Sequence, residues 1–168
     1  MTAGGEWVLL CYRVPREPST PRIAVWRRLK ALGVAQVGDG VVALPADART
    51  REHLEWVAED VVRVGGSAMV WVAWPGAARQ ARELAERMRA ARDEEYVRLV
   101  DTVRQATADP DRAAPGRVGA LRRVRAELRR VERRDYFPGP ARAAARAAVA
   151  ALAADIDART DVAAEAGR

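Results

Sequence analysis

Val34-Ala35-Gln36-Val37-Gly38-Asp39-Gly40-Val41-Val42-Ala43-Leu44 is the stretch whose reading decides the fold. Two short apolar runs, Val34–Val37 and Val41–Leu44, flank a Gly-Asp-Gly break, which is the signal of a tight β-hairpin. Upstream, Ser19–Leu32 places Ile23, Trp26, Leu29 and Leu32 at helical spacing. Pro21 sits in the first turn, where a missing N–H costs nothing, and Gly33 is a suitable stop. Farther upstream, Glu6–Val14 is dense in Trp, Val, Leu and Tyr and halts at Pro15, so it reads as a buried strand. Downstream, Thr50 is expected to cap a helix through Val64 with Leu54, Val57, Val61 and Val64 on one stripe. Gly65-Gly66 ends that helix, and Ala68–Trp74 reads as another strand closed by Pro75-Gly76. The order strand, helix, hairpin, helix, strand over residues 1–76 predicts an α+β fold with a ferredoxin-like βαββαβ antiparallel sheet.

Beyond Gly76 the pattern is helical. Residues 77–160 are expected to form a C-terminal arm of three helices, and 161–168 a flexible tail. The first helix, Ala77–Thr107, has Leu84, Met88, Leu99, Val100 and Val103 as anchors around the charged run Arg92-Asp93-Glu94-Glu95. Unbroken, it would be roughly 46 Å long, so a bend is expected. Asp109-Pro110 through Pro115-Gly116 reads as a loop. Arg117–Arg134 follows as an amphipathic helix with Val118, Leu121, Val124, Leu128 and Val131 facing one way. Tyr136-Phe137-Pro138-Gly139-Pro140 turns the chain into the Ala-rich helix Ala141–Ala158, whose Val149, Leu152 and Ile156 face its neighbour.

The composition limits the function. At 168 residues with 49% hydrophobic and 31% charged, the chain has enough apolar material for a core in one domain plus an appendage. Mean hydropathy is −0.25, and the longest apolar runs are far too short to cross a bilayer. Met1–Gly5 carries no positive charge and no apolar run follows, so no signal peptide is expected. A single cysteine, Cys11, excludes an internal disulfide framework, and Cys11 with His53 is too few ligands for a zinc cage. Net charge is +6, but its distribution says more. Residues 112–146 hold 11 basic and 3 acidic side chains, an excess of +8, while the remainder nearly cancels.

Tyr12-Arg13-Val14-Pro15-Arg16-Glu17-Pro18-Ser19, running on into Arg22-Ile23-Ala24-Val25-Trp26-Arg27-Arg28-Leu29 and Leu32-Gly33, resembles the N-terminal domain of the ChrB chromate-resistance family. Glu95-Tyr96 and Arg134-Asp135-Tyr136-Phe137-Pro138 agree with it, so the resemblance runs from about Trp7 to Leu152. It implies a cytoplasmic, DNA-binding, oxyanion-responsive regulator of a chromate-efflux operon. The first 76 residues are also similar to the ferredoxin-like module of PaaX-type phenylacetate repressors and of small CRISPR-associated endoribonuclease-like proteins. Neither the second domain of many ChrB proteins nor the winged helix of the PaaX type is expected within these 168 residues.

The chemistry suggested by these residues is electrostatic. Arg122, Arg123, Arg125, Arg129 and Arg130, together with Arg117, Arg133 and Arg134, crowd one helix in which Glu127 and Glu132 are the only acids. Such a helix suits a phosphate backbone, where each arginine releases a counterion. The alternative is a solvated helix whose arginines pair with Glu83, Glu86, Glu94 and Glu95. Arg13, Arg16, Arg22, Arg27 and Arg28, with Lys30, lie in the block shared with the ChrB family and are carried over as candidates for DNA or oxyanion contact. The planar fork of arginine donates two parallel hydrogen bonds to an oxyanion. Glu95, Tyr96, Arg134 and Asp135 are expected to act as a structural anchor between helices, the alternative being an oxyanion pocket lined by Arg133 or Arg134.

No catalytic residue, metal site or cofactor is expected. In the CRISPR-associated family the first strand ends on a metal-recruiting Asp, whereas here it ends Cys11-Tyr12-Arg13-Val14, and a cation there repels Mg²⁺. Asp39 and Asp47 read as turn residues, Cys11 as a core residue, His53 as a surface residue and the five tryptophans as core and interface packing residues. The expected function is a non-catalytic, cytoplasmic DNA-binding regulator that forms a homodimer and answers to chromate or a similar oxyanion, with no membrane partner. A metal-dependent nuclease and a protein-interaction module are the alternatives.

Overall fold

The computed structural model describes residues 5–108 and 114–166, with side chains described to 160 and, at the start of the fourth helix, from 116. The elements follow in the order β1 (Trp7–Arg13), α1 (Ser19–Leu32), β2 (Ala35–Gly38), β3 (Val41–Pro45), α2 (Ala48–Arg63), β4 (Ser67–Ala73), α3 (Ala78–Ala108), α4 (Ala114–Glu132) and α5 (Pro140–Ala166). The fold is thus mixed α+β, a four-stranded antiparallel sheet with five helices. The chain forms two compact units, Met1–Met88 and Arg89–Arg168, which divide within α3.

In the first unit the strands lie in the order β2-β3-β1-β4. β1 pairs antiparallel with β3 (Val8 opposite Leu44, Leu10 opposite Val42) and with β4 (Leu9 opposite Trp71, Cys11 opposite Met69). Alternation along β1 and β3 sends Val8, Leu10, Val42 and Leu44 to one face, where all four are fully buried. Leu54, Val57 and Val61 of α2, with Val25 and Leu29 of α1, complete that core. The hairpin between β2 and β3 closes through Asp39-Gly40, with a bulge between Gln36 and Gly38. Gly40 has φ +70°, and a side chain there would strike the Tyr12 carbonyl oxygen at 2.4 Å, so this position requires glycine.

Two local expectations, the cap of α2 and the buried stripe of α1, are corrected by the structure. The cap of α2 is Asp47 rather than Thr50: the Asp47 side chain accepts from the Thr50 N–H at 2.7 Å, and the Thr50 hydroxyl accepts from the Asp47 N–H at 2.9 Å. That reciprocal pair starts the helix earlier and leaves Thr50 fully buried, its hydroxyl donating to the Pro45 carbonyl at 2.6 Å. On α1 the buried residues are Val25 and Leu29, and Ile23 faces solvent. β4 is a sheet edge, so its apolar side chains are largely exposed rather than buried. Of the five tryptophans only Trp7 is fully buried, while Trp56, Trp71 and Trp74 are exposed.

In the second unit, Tyr96, Leu99 and Val103 of α3 join Leu121, Val124 and Val131 of α4 and Val149, Leu152 and Ile156 of α5 in one core. Ala120 and Ala145, both buried, mark places where small side chains let helices approach. α4 starts at Ala114, so Pro115 and Gly116 belong to its first turn, where proline is tolerated, rather than to the loop; residues 109–113 lie outside the described ones. Val118 is exposed, and the buried residue at this end is Arg117, within 3.6 Å of Asp155. α5 runs to Ala166, through most of the segment read as a tail.

Candidate functional site

Two polar constellations are built on the second unit. The first joins α3 to the end of α4. Glu95 sits between two guanidinium groups, its Oε1 2.8 Å from Arg92 Nη2 and its Oε2 accepting from Arg134. One position along each segment, the Tyr96 hydroxyl donates to Asp135 Oδ2 at 2.9 Å. Asp135 is almost completely enclosed, and Arg142 of α5 approaches it at 3.8 Å while also reaching Glu132 at 3.5 Å. Arg146, one turn on, pairs with the same Glu132. The turn after α4 makes this geometry: the Arg134 and Asp135 N–H groups donate to the Val131 and Glu132 carbonyls, which aims both side chains at α3.

Enclosure shows in the titration of these groups. Burial, reinforced by the hydrogen bond to Asp135 and its charge, pushes the Tyr96 phenol well above its ordinary range. Burial also lowers the Arg92 guanidinium, only partly offset by the neighbouring Glu95. Arginine and carboxylate charges alternate through the cluster. The structure therefore brings Glu95, Tyr96, Arg134 and Asp135 together. It also adds Arg92, Glu132, Arg142 and Arg146, whose only sequence signal is charge at helical spacing.

The second constellation is an arginine surface on α4. At 3.6 residues per turn, Arg122, Arg125 and Arg129 fall within roughly 60° of one another, over about 10 Å of helix. Arg133 extends the row, its N–H still donating to the Arg129 carbonyl at 3.2 Å. All four are exposed, and among the described residues none has an ion-pair partner. Of the acids weighed as partners, Glu94 pairs with Arg98 and Glu95 with Arg92 and Arg134, while Glu83, in the first unit, pairs with Arg79. Arg125 and Arg129 also line a shallow groove of about 300 Å³ with Leu128, Arg146, Val149 and Ala150.

The five arginines grouped by sequence on this helix do not form a single face. Arg130 pairs with Glu127, and Arg123, also exposed, lines a different groove with Glu95, Arg98 and Glu127. The remaining candidates belong to the first unit. Arg13 at the end of β1, Arg16 in the following loop, and Arg22 and Arg27 on α1 are exposed, without an ion-pair partner among the described residues. Arg28 is committed to Asp60 of α2, which Arg63 also contacts at 2.6 Å. Lys30 lies over the Trp26 ring at 5.4 Å.

The other singled-out residues also lie in the first unit. Cys11 is half-buried on the sheet face away from α1 and α2, and His53 packs its ring against Trp56. Among the described residues no three His, Cys, Asp or Glu side chains gather as metal ligands, and no helix is long and apolar enough to cross a membrane.

The solved structure of protein Rv0674 from Mycobacterium tuberculosis matches 94% of this chain and 63% of that one, with a TM-score of 0.53 at 19% identity, a likeness of fold alone. Protein ChrB of Cupriavidus metallidurans (strain CH34) is 32% identical over 142 residues, which is 83% of this chain and 43% of that protein. The chain thus spans less than half the length of this curated relative. The family profile described as "Protein ChrB, N-terminal" matches residues 22–114, and the chain belongs to the ChrB family through that N-terminal region.

Proposed function

We propose that this chain acts in the regulation of a chromate-resistance operon by binding DNA through the arginine row of α4. The observation that carries the reading is the set Arg122, Arg125, Arg129 and Arg133, exposed along one side of α4 and the turn that ends it, with no ion pair among the described residues. Membership of the ChrB family supports the regulatory setting. The strand order β2-β3-β1-β4, all antiparallel, supports reading the first unit as a ferredoxin-like module. Its exposed Arg13, Arg16, Arg22 and Arg27 are a second basic surface for phosphate or oxyanion contact.

On this reading the protein performs no bond chemistry. Arginines replace condensed counterions on the phosphate backbone, and the released ions supply most of the affinity. An oxyanion competes for the same guanidinium forks, so chromate weakens the complex. The test is fluorescence anisotropy on DNA from upstream of the gene and on a scrambled duplex, with and without chromate. Tighter binding to the upstream DNA, relaxed by chromate at constant ionic strength, is the expected result. Equal, weak binding to both duplexes, indifferent to chromate, would refute it and leave the interaction-module reading.

A further inference from the structure

The two edges of the sheet are unlike. β2 is four residues long and carries a bulge between Gln36 and Gly38, both of which blunt an edge against further pairing. β4 has neither device. It pairs with β1 in unbroken register over seven residues, Ser67 to Ala73, and its sequence SAMVWVA contains no charge and no proline. Its outer rim therefore presents a straight row of backbone donors and acceptors. Met69 and Trp71, 56% and 54% exposed, stand on one face of that rim, with Val72 on the other and Trp74, 65% exposed, just beyond. A solitary protein rarely leaves such an edge open, because it templates another strand.

From this we infer that β4 is the interface of a homodimer, in which two copies pair their β4 strands antiparallel about a two-fold axis at Val70. The strand is complementary to itself in that register. Met69 of one copy lies opposite Trp71 of the other, twice, giving a thioether against an indole on each side of the axis. On the other face Val70 meets its own copy, and Ala68 meets Val72. No pair brings like charges together, because the strand has none. A tryptophan brings about 150–250 Å² when covered, so the exposed halves of Trp71 and Trp74 contribute on the order of 100 Å² each. With Met69, Val72 and the strand backbone, each copy offers roughly 500 Å², which brings the pair to the 1,000 Å² scale of a specific interface. The contact is isologous, so it closes at two copies and does not propagate.

The test is sedimentation velocity of the full chain across a concentration series, at high enough salt to suppress charge effects. A dimer of twice 18.4 kDa is expected. Met69→Lys and Trp71→Glu, each at an exposed position, should separately raise the dissociation constant on the order of a hundredfold, because each buries unpaired charge. The double variant Met69→Lys/Trp71→Glu sets opposite charges across the axis and should recover the dimer, which shows that the single variants are folded. Val37→Lys on the blunted edge should leave the dimer intact. A monomer at every concentration, or a dimer that both single variants leave unchanged, would overturn the proposal. A double variant that stays monomeric would overturn the two-fold register.

Discussion

Glu95 shows what a single side chain does in this chain. It holds two arginines, Arg92 and Arg134, whose side chains are themselves mostly enclosed. Removing one partner of a buried pair leaves the other charge unsolvated, a larger loss than the pair's own net contribution. Glu95→Ala should therefore cost about 3 kcal/mol in urea unfolding, and an unchanged midpoint would show that the cluster is not an anchor. Tyr96 makes a different prediction, in pH. Its folded pKa lies above the ordinary value near 10, so above that pH the unfolded chain gives up a proton that the folded one keeps. This contribution is complete below about pH 10 and is lost as pH rises further. Tyr96→Phe should flatten the alkaline fall in stability. It should also cost about 1–3 kcal/mol at neutral pH, since Asp135 loses its hydroxyl donor. Parallel alkaline limbs for the two proteins would contradict the assignment.

Helices and strands of this chain were legible where periodicity alone decides. α1 begins and ends where Pro21 and Gly33 imply, and the Gly38-Asp39-Gly40 break makes the hairpin. Reading failed where a tertiary neighbour decides. Ile23 and Val25 are both apolar and two residues apart, and only the position of α2 and the sheet selects Val25. Val118 continues an apolar stripe, yet α5 places Asp155 by Arg117 and turns Val118 outward. Asp47-x-x-Thr50 is a capping box with threonine in the Glu position, so taking Thr50 as the cap starts the helix three residues late. The α4–α5 packing can be tested on that contrast. Leu152→Ala, in the core of the second unit, should cost about 2–5 kcal/mol. Val118→Ala should stay within about 0.5 kcal/mol. Circular dichroism during urea unfolding measures both, and similar costs would mean that the helix faces are misassigned.

At the scale of the whole molecule, the charge excess of residues 112–146 was visible in the sequence, but its partition was not. The same run supplies arginines paired with carboxylates (Arg117, Arg130, Arg134, Arg142, Arg146) and exposed ones without an ion pair among the described residues, of which Arg122, Arg125, Arg129 and Arg133 form one row. Sequence spacing identifies the row as a stripe, but only the positions of Glu95, Glu127 and Glu132 show which arginines they leave uncommitted. The central claim is that this row meets a polyanion. It is tested most directly by the salt dependence of DNA affinity for the wild-type chain and for Arg122→Ala/Arg125→Ala/Arg129→Ala, with circular dichroism confirming that both are folded. Each lost phosphate contact lowers the slope of log K against log salt by about 0.9, so the account predicts a slope shallower by roughly 2.7 and much weaker binding at low salt. An unchanged slope and affinity in the triple variant would contradict it.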